Sequence, residues 1–200
     1  MSLFETATYA LLWLSFGVAH SVLASNWAKQ LLQPLFGRSY RFSYNLISTL
    51  HIGIILVGGQ LWLGAGAATF GWAAEFHLII SASRWVGIGI MLAALTQYDL
   101  GSFGGLRQLR QGKGDPVDDE PLHISGMHRY VRHPIYLGAY LFFWGGIVDE
   151  FGLQTAIWGS LYLYIGTWFE ERKLVSQYGL SYIEYRRKVP SIFPLKGRAI

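Results

Sequence analysis

Between Ser125 and Gly138 the chain reads SGMHRYVRHPIYLG, and after two apolar stretches it reads Glu170-Glu171. Arginines, histidines and an acidic pair beside hydrocarbon-like sequence are costly unless they serve a site, so ionisable groups placed there are site candidates. Pro134 suits the first turn of a helix, where its missing N–H would have no partner anyway. Arg132 or His133 then falls at the cap, where free backbone N–H groups and the positive helix end can hold a carboxylate. Gly126 permits a close backbone approach, and Tyr136 lies about one turn into the helix. Glu170 offers negative charge to a cation or to hydroxyls. Together these groups suit a zwitterionic ligand with an apolar or aromatic body.

The two motifs can meet only if the sequence between them forms a hairpin of spanning helices. Of the 200 residues 52% are hydrophobic, 16% aromatic and only 14% charged, which is not the balance of a soluble domain. No linker divides the chain, so residues 1–200 are expected to form a single all-α membrane domain. Five stretches are apolar enough to span: 3–23, 42–64, 78–98, 134–148 and 152–169. A helix needs about 20 apolar residues to cross, so the last two must extend through their flanks or meet a thinned bilayer. Residues 3–23 lack a basic leader and a small-residue cleavage site, and are read as a retained span.

Of the 16 Lys and Arg residues, all but Arg84 lie in alternate connecting segments or the tail. The positive-inside rule then puts the N-terminus outside and the C-terminus in the cytoplasm. Arg84 is expected to snorkel from the outer end of the third span, or that helix starts later. The net charge of +4 follows this loop pattern and forms no stripe for nucleic acid.

The segment after residue 98 holds Gly101, Gly104, Gly105 and Gly112 among basic residues, then acids from Asp115 to Glu120. The acids read as a solvated cluster, since their spacing matches no calcium loop, and the absence of cysteine removes any thiolate metal site. No metal is expected. In the tail, Leu174, Tyr178, Tyr182 and Tyr185 recur at helical spacing, giving a cytoplasmic amphipathic helix broken at Gly179 and ended by Val189-Pro190. That helix lies on the membrane surface with its basic residues toward headgroups, or its tyrosines cover a cofactor pocket from below. His20 and His51 are read as interhelical hydrogen-bonding residues; their depths differ by on the order of 8 Å, which argues against a shared haem.

The pattern S-G-x-x-R-Y-V-R-H-P-x-Y-x-G, followed by E-E-x-x-L-x-x-x-Y-G-x-x-Y-x-x-Y-x-x-x-V-P-x-x-x-P, resembles the isoprenylcysteine carboxyl methyltransferase and phospholipid methyltransferase superfamily. Residues 122–194 carry the match. The front half, with AHSVLAS at 19–25 and YRFSYN at 40–45, is similar to the bacterial NnrU-like and methanethiol S-methyltransferase branches. The resemblance implies an inner-membrane enzyme that uses S-adenosylmethionine without a Rossmann domain. It implies cofactor motifs at 120–136 and 170–194, with cofactor contacts from Glu120, Pro121, Leu122 and His123, from His133, Pro134, Ile135 and Tyr136, and from Glu170.

Two departures narrow the acceptor. Gly126-Met127-His128 replaces the family's Gly-x-Tyr. Gly166 stands where carboxyl methyltransferases carry an arginine, so a prenylcysteine carboxylate would lack its partner. A small thiol or a lipid amine, arriving from the membrane lipid, fits better than carboxyl methylation. Candidate catalytic residues are His128 and Arg132, with His128 or His20 able to take a proton from a thiol. The alternative of another class is a non-catalytic NnrU-like membrane protein linked to redox or nitrogen-oxide physiology.

Overall fold

The computed structural model describes residues 1–110 and 122–195, and the described part is almost wholly helical. Helix α1 (Leu3–Ala24) opens with a capping box in which Ser2 and Glu5 satisfy each other's backbone N–H groups. Ser25 ends it and caps α2 (Asn26–Phe36), a helix where the sequence suggested only a connecting segment. A 3-10 turn at Gly37–Ser39 leads to α3 (Tyr40–Gly53), which runs through a π-helical segment, Ile54–Gly58, into α4 (Gly59–Trp62). Then come α5 (Ala74–Leu95), the short α6 (Leu100–Phe103) and α7 (Leu106–Arg110), a 3-10 turn at Gly126–Arg129, α8 (Pro134–Trp144), α9 (Glu150–Tyr178) and α10 (Leu180–Lys188).

Three helical stretches are long and apolar enough to cross a bilayer: Leu3–Ala24, Asn26–Gly66 and Ala74–Leu95. They correspond to the first three expected spans. The other two differ from expectation in form. Helix α8 has only 11 residues, roughly 16 Å of helix. Helix α9 has 29 and does not stop at residue 169. It carries its apolar sequence without a break into Glu170, Glu171 and the tail. Its outer face there is apolar: Ile165, Trp168 and Phe169 are all exposed. So are Leu11, Leu14 and Val18 of α1, and Ile79, Trp85 and Leu92 of α5. An apolar exterior of this extent suits contact with lipid rather than water.

Inside, Tyr9, Trp13 and Phe16 of α1 pack with Ile55, Leu63 and Phe151. The Tyr9 hydroxyl reaches Thr155 Oγ1 at 2.9 Å, tying α1 to α9. Helices α5 and α8 cross at Gly87 and Gly138, where backbone meets backbone. A Cβ on Gly138 would lie 2.6 Å from the Gly87 carbonyl oxygen, so only glycine allows this approach. Helix α8 is fixed to α9 by Tyr140 Oη donating to the Ser160 carbonyl (3.0 Å) and by Trp144 Nε1 donating to Ser160 Oγ (2.9 Å).

Arg84 is not at a helix end. Helix α5 begins at Ala74, which places Arg84 well inside it, and the guanidinium lies over the Phe142 ring at 4.7 Å. A cation over an aromatic face gives the charge a partner without water.

Candidate functional site

Four elements converge around Glu171. His133 is the N-cap of α8 and Pro134 its first residue, so the helix starts where the sequence placed it. The chain ahead of α8 is pinned to the end of the tail by two backbone bonds, Arg132 N–H to Pro190 O and His133 N–H to Ser191 O, both 3.0 Å. Helix α10, set off from α9 by Gly179 at φ 58°, folds back to bring its residues beneath α8. A left-handed φ of this kind is what glycine supplies.

Glu171 is the hub of this knot. Its Oε1 accepts from Arg132 Nε (2.8 Å) and Tyr182 Oη (2.9 Å), and lies 2.8 Å from His133 Nε2. Its Oε2 is 4.0 Å from an Arg186 nitrogen. Burial by itself would raise the Glu171 carboxyl pKa. The hydrogen bonds from His133, Arg132 and Tyr182 outweigh that and hold it down at about 2. Arg132 also donates to the Arg186 and Val189 carbonyls. Its guanidinium therefore ties α9 to the end of α10.

The sequence singled out Glu170 and passed over Glu171, Tyr182 and Tyr185 as individual partners. Tyr182 and Tyr185 are buried with Val189, against Leu122, Leu174, Val175 and Tyr178. The tyrosine face of the tail is thus turned onto the protein, not toward headgroups. Burial raises both phenolic pKa values, and the carboxylate of Glu171 adds to the effect. Spacing had given the face; nothing in spacing said what it packs on.

Glu170 sits beside the hub in a different state. Its side chain is 41% exposed, with Oε2 3.5 Å from His133 Nδ1. That oxygen is nevertheless buried and accepts no hydrogen bond. The Tyr136 and Tyr98 hydroxyls are within electrostatic reach of it. The His133 and Tyr136 rings stack at 5.3 Å and 11°. At the N-terminus of α8 the N–H groups of Ile135 and Tyr136 precede the first intrahelical bond, Leu137 N–H to His133 O.

The Gly126 turn closes one side. Gly126 has φ 55°, and a Cβ there would collide with Gln97, whose Oε1 accepts from Met127 N–H at 3.0 Å. His128 Nδ1 is 3.1 Å from the Arg132 carbonyl, and the His128 carbonyl accepts from Tyr185 Oη. Burial lowers the His128 pKa, opposed in part by that carbonyl. His123 is exposed and Leu122 packs on the tyrosine cluster. Glu120 and Pro121 lie outside the described residues, as do Gly112 and the acids from Asp115.

Deeper in the helices is a second polar group. His20 Nε2 is 2.8 Å from Tyr44 Oη, and His20 Nδ1 is 3.2 Å from Ser48 Oγ. His51 Nε2 is 3.2 Å from Ser15 Oγ. Both histidines thus join α1 to α3, as the sequence suggested.

Comparison with known proteins places the chain in a family. The family described as "Protein of unknown function (DUF1295)" matches residues 51–189. Methanethiol S-methyltransferase of Pseudomonas deceptionensis is 31% identical over 188 residues, covering 90% of this chain and 69% of that protein. Methanethiol S-methyltransferase 2 of Bradyrhizobium diazoefficiens is 29% identical over 191 residues, with the same coverage of 90% and 69%. A shorter likeness, 39% over 85 residues, links 38% of this chain to 34% of the protein-S-isoprenylcysteine O-methyltransferase of Schizosaccharomyces pombe. No solved structure matches.

Proposed function

This chain belongs to the DUF1295 family together with the methanethiol S-methyltransferases, and on that footing we propose that it transfers the methyl group of S-adenosylmethionine to a small thiol within a membrane. The observation that carries the reading is the paired geometry at the start of α8. Free N–H groups at Ile135 and Tyr136 open the same helix whose cap, His133, lies 3.5 Å from a buried Glu170 oxygen that accepts no hydrogen bond. A buried acceptor that takes no hydrogen bond from the protein has a place for a donor from a ligand. A zwitterion with an aromatic base fits this set: its carboxylate at the helix N-terminus, its positive or hydroxyl groups at Glu170, its flat ring beside the His133–Tyr136 stack.

S-adenosylmethionine, when bound, supplies a methyl carbon already activated by a positive sulfur. The protein's task is then alignment. In-line displacement gains most from holding the reactants in register. His133, Pro134, Ile135 and Tyr136 hold the anionic end, Glu170 the cationic one, and Leu122 borders the site through the tyrosine cluster, with His123 next to it in the chain. Arg132 and His128 act as positioning residues, since their polar atoms serve the knot and the Gly126 turn.

Gly166 supports a thiol over a carboxylate. Helical spacing sets it one turn from Glu170, and a Cβ there would meet nothing within 4 Å. Open space on a residue that itself brings no charge suits a small neutral acceptor better than a prenylcysteine carboxylate. Helices α8 and α9 complete a five-segment crossing, with basic loops and the knot on the cytoplasmic side. The exposed apolar face of α9 supports this arrangement.

Calorimetry with S-adenosylmethionine tests the reading. Saturable binding is expected for the wild type and a loss of at least about tenfold for Glu170→Ala, a charge-assisted contact being worth about 1.5–3 kcal/mol. No binding by either protein would favour a non-catalytic membrane role.

A further inference from the structure

The knot leaves the thiol proton without a destination. Helix α9 shows where that destination lies. Tyr162, Gly166 and Glu170 recur at intervals of four and so share one face of the helix. Glu170 belongs to the cradle. Gly166 faces open space. Tyr162, one turn deeper, packs edge-on to the His20 ring at 6.1 Å and against Phe16 at 4.9 Å. Gly166 thus lies between Glu170 on one side and Tyr162, which touches the His20 cluster, on the other, each about 6 Å along the axis.

The phenols run in the same direction. Tyr162 is within electrostatic reach of both Tyr44 and Glu170, and Tyr136 within reach of Tyr162. Phenol side chains thus lie between the cradle and the His20 imidazole, with Tyr162 in ring contact with it. That imidazole has neutral partners: Tyr44 Oη at 2.8 Å and Ser48 Oγ at 3.2 Å, with Tyr162 and, across Phe16, His51 as the other titratable neighbours. No carboxylate is paired with it among the described residues.

We propose that His20, oriented by Tyr44 and Ser48, is the proton acceptor for the thiol. This rests on the methyltransferase reading above. The thiol sulfur forms a bond to the methyl carbon as the bond from that carbon to the sulfonium sulfur breaks. The thiol proton passes to an imidazole nitrogen of His20. A neutral thioether and S-adenosylhomocysteine leave, and the proton is then released to solvent.

The test uses full-length protein in lipid nanodiscs, with His20→Gln and Tyr44→Phe. Each is assayed with an alkanethiol that is protonated at the assay pH and with an arenethiol already ionised there. His20→Gln should bind S-adenosylmethionine in calorimetry within threefold of wild type. It should lose about 100-fold in turnover of the alkanethiol, the usual worth of a general base, and less than fivefold with the arenethiol. Tyr44→Phe should shift the same ratio in the same direction by a smaller factor. Equal losses with both thiols, weakened donor binding in His20→Gln, or no loss at all would each overturn the proposal. Absence of donor binding by the wild type would instead defeat the methyltransferase reading beneath it.

Discussion

The knot around Glu171 and the cluster around His20 both place ionisable side chains in a molecule with an apolar exterior, yet they satisfy them in opposite ways. Glu171 Oε1 alone gathers Arg132, His133 and Tyr182 within 2.9 Å. Both charged side chains are nearly enclosed, 9% exposed for Arg132 and 11% for Glu171. His20 has two neutral hydroxyls and an aromatic wall. A carboxylate already loaded with three donors is poor at chemistry and good at holding strands of chain together. An imidazole with neutral partners can still change its proton. Glu170, next to the hub, keeps one buried oxygen that accepts no hydrogen bond, 3.5 Å from His133 Nδ1.

If the knot is structural, breaking it should cost stability before anything else. Glu171→Ala would leave Arg132 enclosed without its partner, and removal of one member of a buried pair typically costs about 3–5 kcal/mol. The expected outcome is a large fall in the thermal midpoint in detergent, with α10 released and open to proteolysis after Gly179. Glu171→Gln, which keeps an acceptor oxygen, should fall less. A variant as stable as wild type would show that the two clusters do not differ as described.

Acid sharpens the contrast. The Glu171 carboxyl is held at about 2 in the fold against an ordinary 4.5. A lowered carboxyl pKa contributes stability that is fully present above pH 4.5 and fades as pH falls from there through about 2. The thermal midpoint of the wild type should therefore drop across that window more steeply than that of Glu171→Gln. Parallel curves would remove the claim that this carboxylate carries the knot.

The ionisable residues of both clusters were visible in the sequence because such groups stand out against apolar neighbours. Arg132, His133 and the acidic pair were legible for that reason, and so was the start of α8 at Pro134. Which glutamate would become the hub was not. Adjacent residues on a helix point about 100° apart, and the choice depends on where α10 folds back. The tyrosine face of α10 was likewise visible without its destination. Helix α8 ends early because Gly145 and Gly146 close against Arg84, a contact between segments far apart in sequence. Helix α2 has its signal in Ser25, whose hydroxyl caps it, but it is too polar and short to stand out between apolar spans. The π segment at Ile54–Gly58 lets Gly59 sit beneath Tyr9 and Phe151, which no local pattern announces.

The smallest expected effect separates the clusters most finely. Tyr182 is fully buried, and Tyr182→Phe keeps its ring packing while deleting one of three donors to Glu171. With Arg132 and His133 still in place, the loss should be about 1 kcal/mol of stability. Turnover per folded molecule should change less than threefold. Tyr44→Phe also deletes one hydroxyl beside an ionisable group, but one whose partner is meant to move a proton. Its stability should change by less than about 1 kcal/mol while its alkanethiol turnover falls. If Tyr182→Phe instead lowers turnover without lowering stability, the knot takes part in chemistry and the division between the two regions fails.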